Sequence, residues 1–237
     1  MNNNIIKLNV NVINILIQEK ITNNNLNINP NNILPRYLKS TLNQKNRTKD
    51  KAEVFTPVFI VKEMNDSVDI NFLGRYEEYI DRKVLEVTCG EAPFLTTRYD
   101  ASTGQQIQCG ERVGLLDRKL QRIPDGVGET EWISLATRSL KATYGYEWQE
   151  DSIFLARKNL LLDVIEYYVD RFGILPDENI IEEWATIVSY NIFRMDGITL
   201  CIPETNIKSK VMNWQTNKFE NFDDSKEEIK EIEQPLF

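Results

Sequence analysis

The stretch from Val84 to Leu95, VLEVTCGEAPFL, sets the tightest limit on what this chain can fold into. Val84, Leu85 and Val87 form an apolar run carrying one acid, Glu86, which then meets small residues at Thr88, Cys89 and Gly90. Ala92 comes two positions later, and Phe94 and Leu95 resume the apolar pattern. In physical terms this is a buried strand that ends in a tight glycine turn and feeds a helix. Such a unit underlies nucleotide-type cofactor sites in α/β folds: glycine lets the backbone approach the ligand, and an acid meets hydroxyl or ammonium groups. The same turn occurs in folds that bind nothing there, so its meaning depends on what the rest of the chain places around it.

Composition removes several alternatives. With 237 residues, 41% hydrophobic and 27% charged, the chain has material for one sizeable core with appendages. It contains no histidine, which excludes Ser-His and Cys-His nucleophiles and every histidine-ligated metal. Cys89, Cys109 and Cys201 are odd in number and widely spaced; they make no metal pattern and fit a reducing compartment. The net charge of −8 is opposite to the basic footprint of an autonomous nucleic-acid binder. Action on DNA would therefore need phosphate attraction from elsewhere. Residues 5–17 are apolar-rich but broken by Lys7, Asn9, Asn11 and Asn14, too short and polar for a bilayer and without signal-peptide features. A cytoplasmic location with no membrane partner is expected.

Three segments are expected along the chain. Residues 1–50 hold 15 asparagines and read as an Asn-rich N-terminal extension, a partly strand-like arm and a loose connector on a tolerant surface. Residues 51–205 have ordinary globular composition, and 206–237 read as an acidic C-terminal tail. Within the body, Thr56-Pro57 looks like the cap of a helix with Val58, Val61, Met64 and Val68 on one face. Residues 98–107 read as a hairpin-like excursion and 123–130 as a loop. A helix follows from Trp132 to Ala142, then a strand over 142–148 ending in Glu147. Asp151 is placed to cap a strong amphipathic helix reaching about Tyr168, and a second helix starts near Asn179. The chain then runs through Ile192 and Phe193 to Asp196, and Ile198 to Ile202 reads as an apolar strand.

Acids at the ends of successive strands are what a doubly wound parallel sheet needs to hold a nucleoside. Glu147 can accept hydrogen bonds from ribose hydroxyls, Asp196 from an adenine amino group, and Trp148 offers a flat wall for the base. Each also has an ordinary structural role open to it: solvated acid, turn residue, core aromatic.

The segments in order resemble the amino-type, adenine-specific DNA methyltransferases, in particular the methyltransferase subunits of bacterial restriction–modification systems. LEVTCGEAPFL at 85–95 is similar to their first motif, roughly LDPSCGSGNFL. VFTP at 54–57 looks like their FTP cofactor motif, YGYEWQEDSIFLARKNLL at 144–162 like the second motif, and NIFRMDGI at 191–198 like the third. The resemblance spans about residues 45–205. It implies a Rossmann-like S-adenosylmethionine-dependent methyltransferase fold, a partial doubly wound sheet, with S-adenosyl-L-methionine at the turn. Phe55, Thr56 and Pro57 would pack against the cofactor, and Glu86 with the Cys89–Gly90 backbone would meet its methionine moiety. Glu147 would take the ribose and Asp196 the adenine, with Trp148 beside Glu147.

The chain also departs from that pattern. Glu86 replaces the family's Asp, Val87 its Pro, Pro93 its Asn, and Ala92 its second Gly, adding a methyl where backbone and ligand approach. The Asx-Pro-Pro-aromatic turn that receives the target amine is absent, since no two of the eight prolines are adjacent. No catalytic residue and no metal ligand is therefore assigned. The resulting expectation is the cofactor-binding portion of a DNA adenine-N6 methyltransferase, inactive alone. A partner chain would bring the catalytic turn and target recognition, and DNA would be met through the complex. The alternative is a non-catalytic binding or regulatory protein, or a remnant, that retains the fold.

Overall fold

The computed structural model describes residues 33–39, 56–222 and 230–231. Phe55, the arm over 5–17, most of the Asn-rich segment and most of the residues after 222 lie outside the described residues. The fold is α/β. Its central sheet is parallel, with strands β1 (Val84–Glu86), β2 (Thr143–Glu147), β3 (Ile192–Arg194) and β6 (Lys230–Glu231) in the order β3-β2-β1-β6. Val84 pairs with Thr143 and Glu147 with Arg194, so the ends of β1, β2 and β3 share one edge. A separate antiparallel hairpin is made by β4 (Lys210–Asn213) and β5 (Lys218–Asn221).

Among the described residues six α-helices have assigned bounds: α1 (Val58–Asp69), α2 (Tyr76–Asp81), α3 (Leu115–Gln121), α4 (Glu129–Lys141), α5 (Glu150–Phe172) and α6 (Glu178–Asn191). Strand periodicity divides the core in two. Val84 and Ile192 join a large cluster with Leu116, Trp132, Leu160 and Trp184 from the helices. Leu85, Tyr144, Tyr146 and Phe193 point the other way and meet Met195, Val211 and Phe222. No residue of α1 to α6 belongs to that second cluster; among the described residues the hairpin, Met195 and Phe222 meet this face.

Several boundaries follow the sequence closely. β1 is buried at all three positions, as a parallel strand covered on both faces must be. The helix α5 stops at Gly173, whose left-handed φ of 71° lets its N–H reach Val169 O at 2.8 Å. The 98–107 excursion closes through an antiparallel bridge between Tyr99 and Gln106.

Other expectations are corrected. No helix follows β1; Thr88, Gly90 and Ala92 take φ of 49°, 55° and 63°, and a chain with alternate left-handed residues cannot wind a right-handed helix. Thr56 caps nothing: Pro57 is the N-cap residue of α1, and Asp100 Oδ2 accepts from Val58 N at 3.1 Å instead. Asp151 lies in the first turn of α5, where the N-cap is Gln149. Ile198 to Ile202 is not a strand: Leu200 N returns to Asp196 O at 2.8 Å with Leu200 left-handed, and only Cys201 makes a bridge, antiparallel to Lys208. Residues 206–222, read as the start of a tail, carry the hairpin, and Tyr144 Oη donates to Met212 O at 3.2 Å.

Candidate functional site at the carboxyl edge of the sheet

The loops leaving β1, β2 and β3 meet at the edge where the three strands end. Cys89 N donates to Tyr146 O at 2.8 Å, which lays the first turn across the end of β2. Gly145 leaves room for this approach: a methyl there would stand 3.1 Å from Cys89 Sγ and 3.1 Å from Ile192 Cδ1, so those side chains would have to shift by a few tenths of an ångström. Gly90 N then donates to Glu147 Oε2 at 2.9 Å, and Glu147 Oε1 accepts from Trp148 N at 2.7 Å and Gln149 N at 3.0 Å. One carboxylate therefore ties the β1 turn to the start of α5. Met195 N donates to Glu147 O at 3.1 Å, bringing the end of β3 to the same place.

Glu86 lies beneath this turn, 3% exposed. Its Oε1 faces Phe94 N at 3.4 Å, while Oε2 is buried with no hydrogen-bond partner. Burial pushes its carboxyl well above the usual range, with Glu147 adding to the effect. Burial likewise raises the Cys89 thiol, which makes it a packing group and not a nucleophile. Among the described residues, chain neighbours aside, no heavy atom lies within 4 Å of the position a β-carbon on Gly90 would take.

The remaining expected residues are placed less closely. Trp148 is exposed at the end of β2, next to Glu147. Asp196 turns back on its own loop: Oδ1 accepts from Ile198 N at 2.9 Å and Oδ2 from Thr199 Oγ1 at 2.9 Å. The Ile198 amide holds its carboxyl below the ordinary value. Thr56 and Pro57 stand at the start of α1, which reaches the turn through Asn65, whose Nδ2 donates to Phe94 O at 3.0 Å. Glu86, Cys89, Gly90 and Glu147 thus form one cluster, with Trp148 and Asp196 on its rim.

Glu91 belongs to the same neighbourhood and was not anticipated. Its Oε1 accepts from Arg36 N at 2.8 Å, its Oε2 from Tyr99 Oη at 2.8 Å, and its backbone oxygen from Asn159 Nδ2 at 3.0 Å. Arg36–Leu38 forms a short 3-10 helix, and Tyr37 packs edge-on against Tyr99 with ring centroids 5.2 Å apart. Part of the Asn-rich segment is therefore docked beside the turn. An acid placed between Gly90 and Ala92, among small residues, was the available signal.

Among the described residues no three His, Cys, Asp or Glu side chains are grouped to hold a metal, and no helix is long and apolar enough to cross a membrane. No family model, curated protein or solved structure matches the chain.

Proposed function

We propose that the carboxyl edge binds S-adenosylmethionine and that the chain is the cofactor-binding portion of a DNA adenine-N6 methyltransferase, working in the cytoplasm. The observation that carries this reading is the Glu147–Gly90 hydrogen bond, which joins the acid expected at the ribose to the turn expected at the methionine moiety. Two features of the turn fit the cofactor. The space above Gly90 admits a ligand against bare backbone, and the unpartnered Oε2 of Glu86 is an acceptor suited to an ammonium group. Glu147 Oε2 has one donor and so keeps acceptor capacity for a ribose hydroxyl. The Ala92 substitution leaves the backbone in the left-handed course that glycine favours, at about 1 kcal/mol. The Asx-Pro-Pro-aromatic turn and target recognition would come from outside this sequence, through a protein partner that also engages DNA.

A second reading, a non-catalytic protein keeping the fold, is favoured by one feature: Glu147 already accepts three backbone hydrogen bonds. Equilibrium dialysis with radiolabelled cofactor separates the two. The account expects retention of label by the chain, at least a tenfold weaker affinity in Glu147→Ala, and no label transferred to DNA by the chain alone. Undiminished binding by Glu147→Ala, in a variant shown by its melting temperature to be folded, would refute the assignment.

A further inference from the structure

Behind the segment that follows the β1 turn, two carboxyls are buried side by side. Asp117 of α3 and Asp163 of α5 are each 0% exposed and lie in hydrogen-bond contact with one another. Asp117 Oδ2 accepts from Thr97 N at 2.9 Å, Thr97 Oγ1 at 3.2 Å and Gly114 N at 2.8 Å. Asp163 Oδ1 accepts from Arg112 Nη1 at 2.7 Å. The other two oxygens, Asp117 Oδ1 and Asp163 Oδ2, are buried with no donor among the described residues. Thr96 Oγ1 lies beside Asp163 and is itself without a hydrogen-bond partner. Buried acceptors left without a donor are costly, and two ionised carboxylates facing each other repel as well.

The surrounding groups leave this gap open. Arg112 is shared with Glu166 through Nη2 at 2.6 Å, and Arg98 Nε donates to Glu166 Oε2 at 3.0 Å. Arg118 and Lys119 of α3 are engaged elsewhere, with Asp66 and Asp69 and with Arg82 O and Ala142 O. From the 3-10 turn at Cys109–Glu111, Cys109 faces the pair as a neutral thiol, which burial raises to about 11. Tyr167 of α5 donates its hydroxyl to Cys109 O at 2.6 Å. Two guanidiniums, Arg98 and Arg112, therefore meet three carboxyls, Asp117, Asp163 and Glu166, and one further proton balances the cluster. Burial raises both aspartates, whereas Arg98 and Arg112 outweigh burial and hold Glu166 below its ordinary value, which directs that proton to the aspartates.

We infer that Asp117 and Asp163 share a single proton between Oδ1 and Oδ2, and that this proton latches Thr97, at the exit of the β1 turn, onto α3 and α5. The latch is independent of the cofactor reading, and none of its members is proposed to touch that ligand. The folded chain keeps this proton at pH values where the unfolded chain has lost it. Its stabilisation is complete below the ordinary aspartate value and declines as pH rises, until loss of the proton sets two charges face to face and opens the latch.

Asp117→Asn tests this, because the amide keeps an acceptor for Thr97 and Gly114 and puts an N–H where the shared proton stands. Urea unfolding of the chain and the variant at pH 6 and pH 9 should show the ratio of their unfolding constants, parent over variant, rising at least tenfold with pH. Carboxyl-carbon NMR of the aspartate-labelled parent chain reads the proton itself and decides the matter even if the variant does not fold. Two aspartates should hold a common proton at pH 6 and release it in one step as pH rises, with the amide protection of Thr97 falling in that step. A ratio independent of pH, every aspartate ionised at pH 6, or Thr97 protection indifferent to the step would each overturn the proposal.

Discussion

The ammonium of Lys119 is fully enclosed at the amino edge of the sheet, donating to Arg82 O at 2.7 Å and Ala142 O at 3.0 Å. Burial lowers its pKa to about 7. From pH 7 up to the ordinary lysine value, the unfolded chain binds the proton that the folded chain has lost, so this residue makes stability rise with pH. The slope approaches about 1.4 kcal/mol per pH unit in that window. Glu86 and Asp163 act in the opposite sense, since burial raises their carboxyls and their contribution fades as pH rises. The Lys119 effect is therefore read from a difference. Urea unfolding of the chain and of Lys119→Met, compared at pH 7 and pH 9, should show the gap between them changing by about 1–3 kcal/mol in favour of the parent chain. A gap independent of pH would show that the amine is not perturbed.

At the scale of elements, one amide joins three parts of the fold. Asn191, the last residue of α6, donates to Leu140 O at 2.8 Å and Thr143 O at 2.9 Å, and its Oδ1 accepts from Trp214 Nε1 at 2.7 Å. It links α4, β2 and the hairpin loop from a buried position, so Asn191→Ala should lose about 2–4 kcal/mol in chemical denaturation. A loss under 0.5 kcal/mol would mean that water replaces these bonds. The sequence resemblance singled out Asn191 only as the start of a motif; its structural role depends on partners 23 to 51 residues away. The same distinction explains what was legible. Strands β1, β2 and β3 and helices α4 to α6 carry their own periodicity and stops, such as Gly173, and could be read locally. The turn after β1 could not, because Thr88 and Ala92 are left-handed against their own preference and are held there by Tyr146 and Glu147 from another strand. Asp196 looked free to meet a ligand, yet Ile198 and Thr199 engage it, an outcome that residue type alone does not reveal. The hairpin was obscured by the acidic residues that follow it, although the Asx turn at Asn213, accepting from Gln215 N at 3.0 Å, left a signal.

At the scale of the molecule, the parallel strands bring together residues as distant as Gly90 and Glu147, while the hairpin meets the face that carries Leu85 and Tyr144. Glu86 connects this architecture to the proposed chemistry. Burial raises the Glu86 carboxyl and a cation arriving beside it lowers it again, so binding of a ligand with ammonium and sulfonium groups should release a proton from the protein. Isothermal titration with S-adenosylmethionine at pH 6.5, in two buffers of different ionisation enthalpy, tests this most directly. The account predicts saturable heat whose size depends on the buffer, and a Glu86→Gln variant that binds without that dependence. Absence of any binding heat at millimolar cofactor would contradict it.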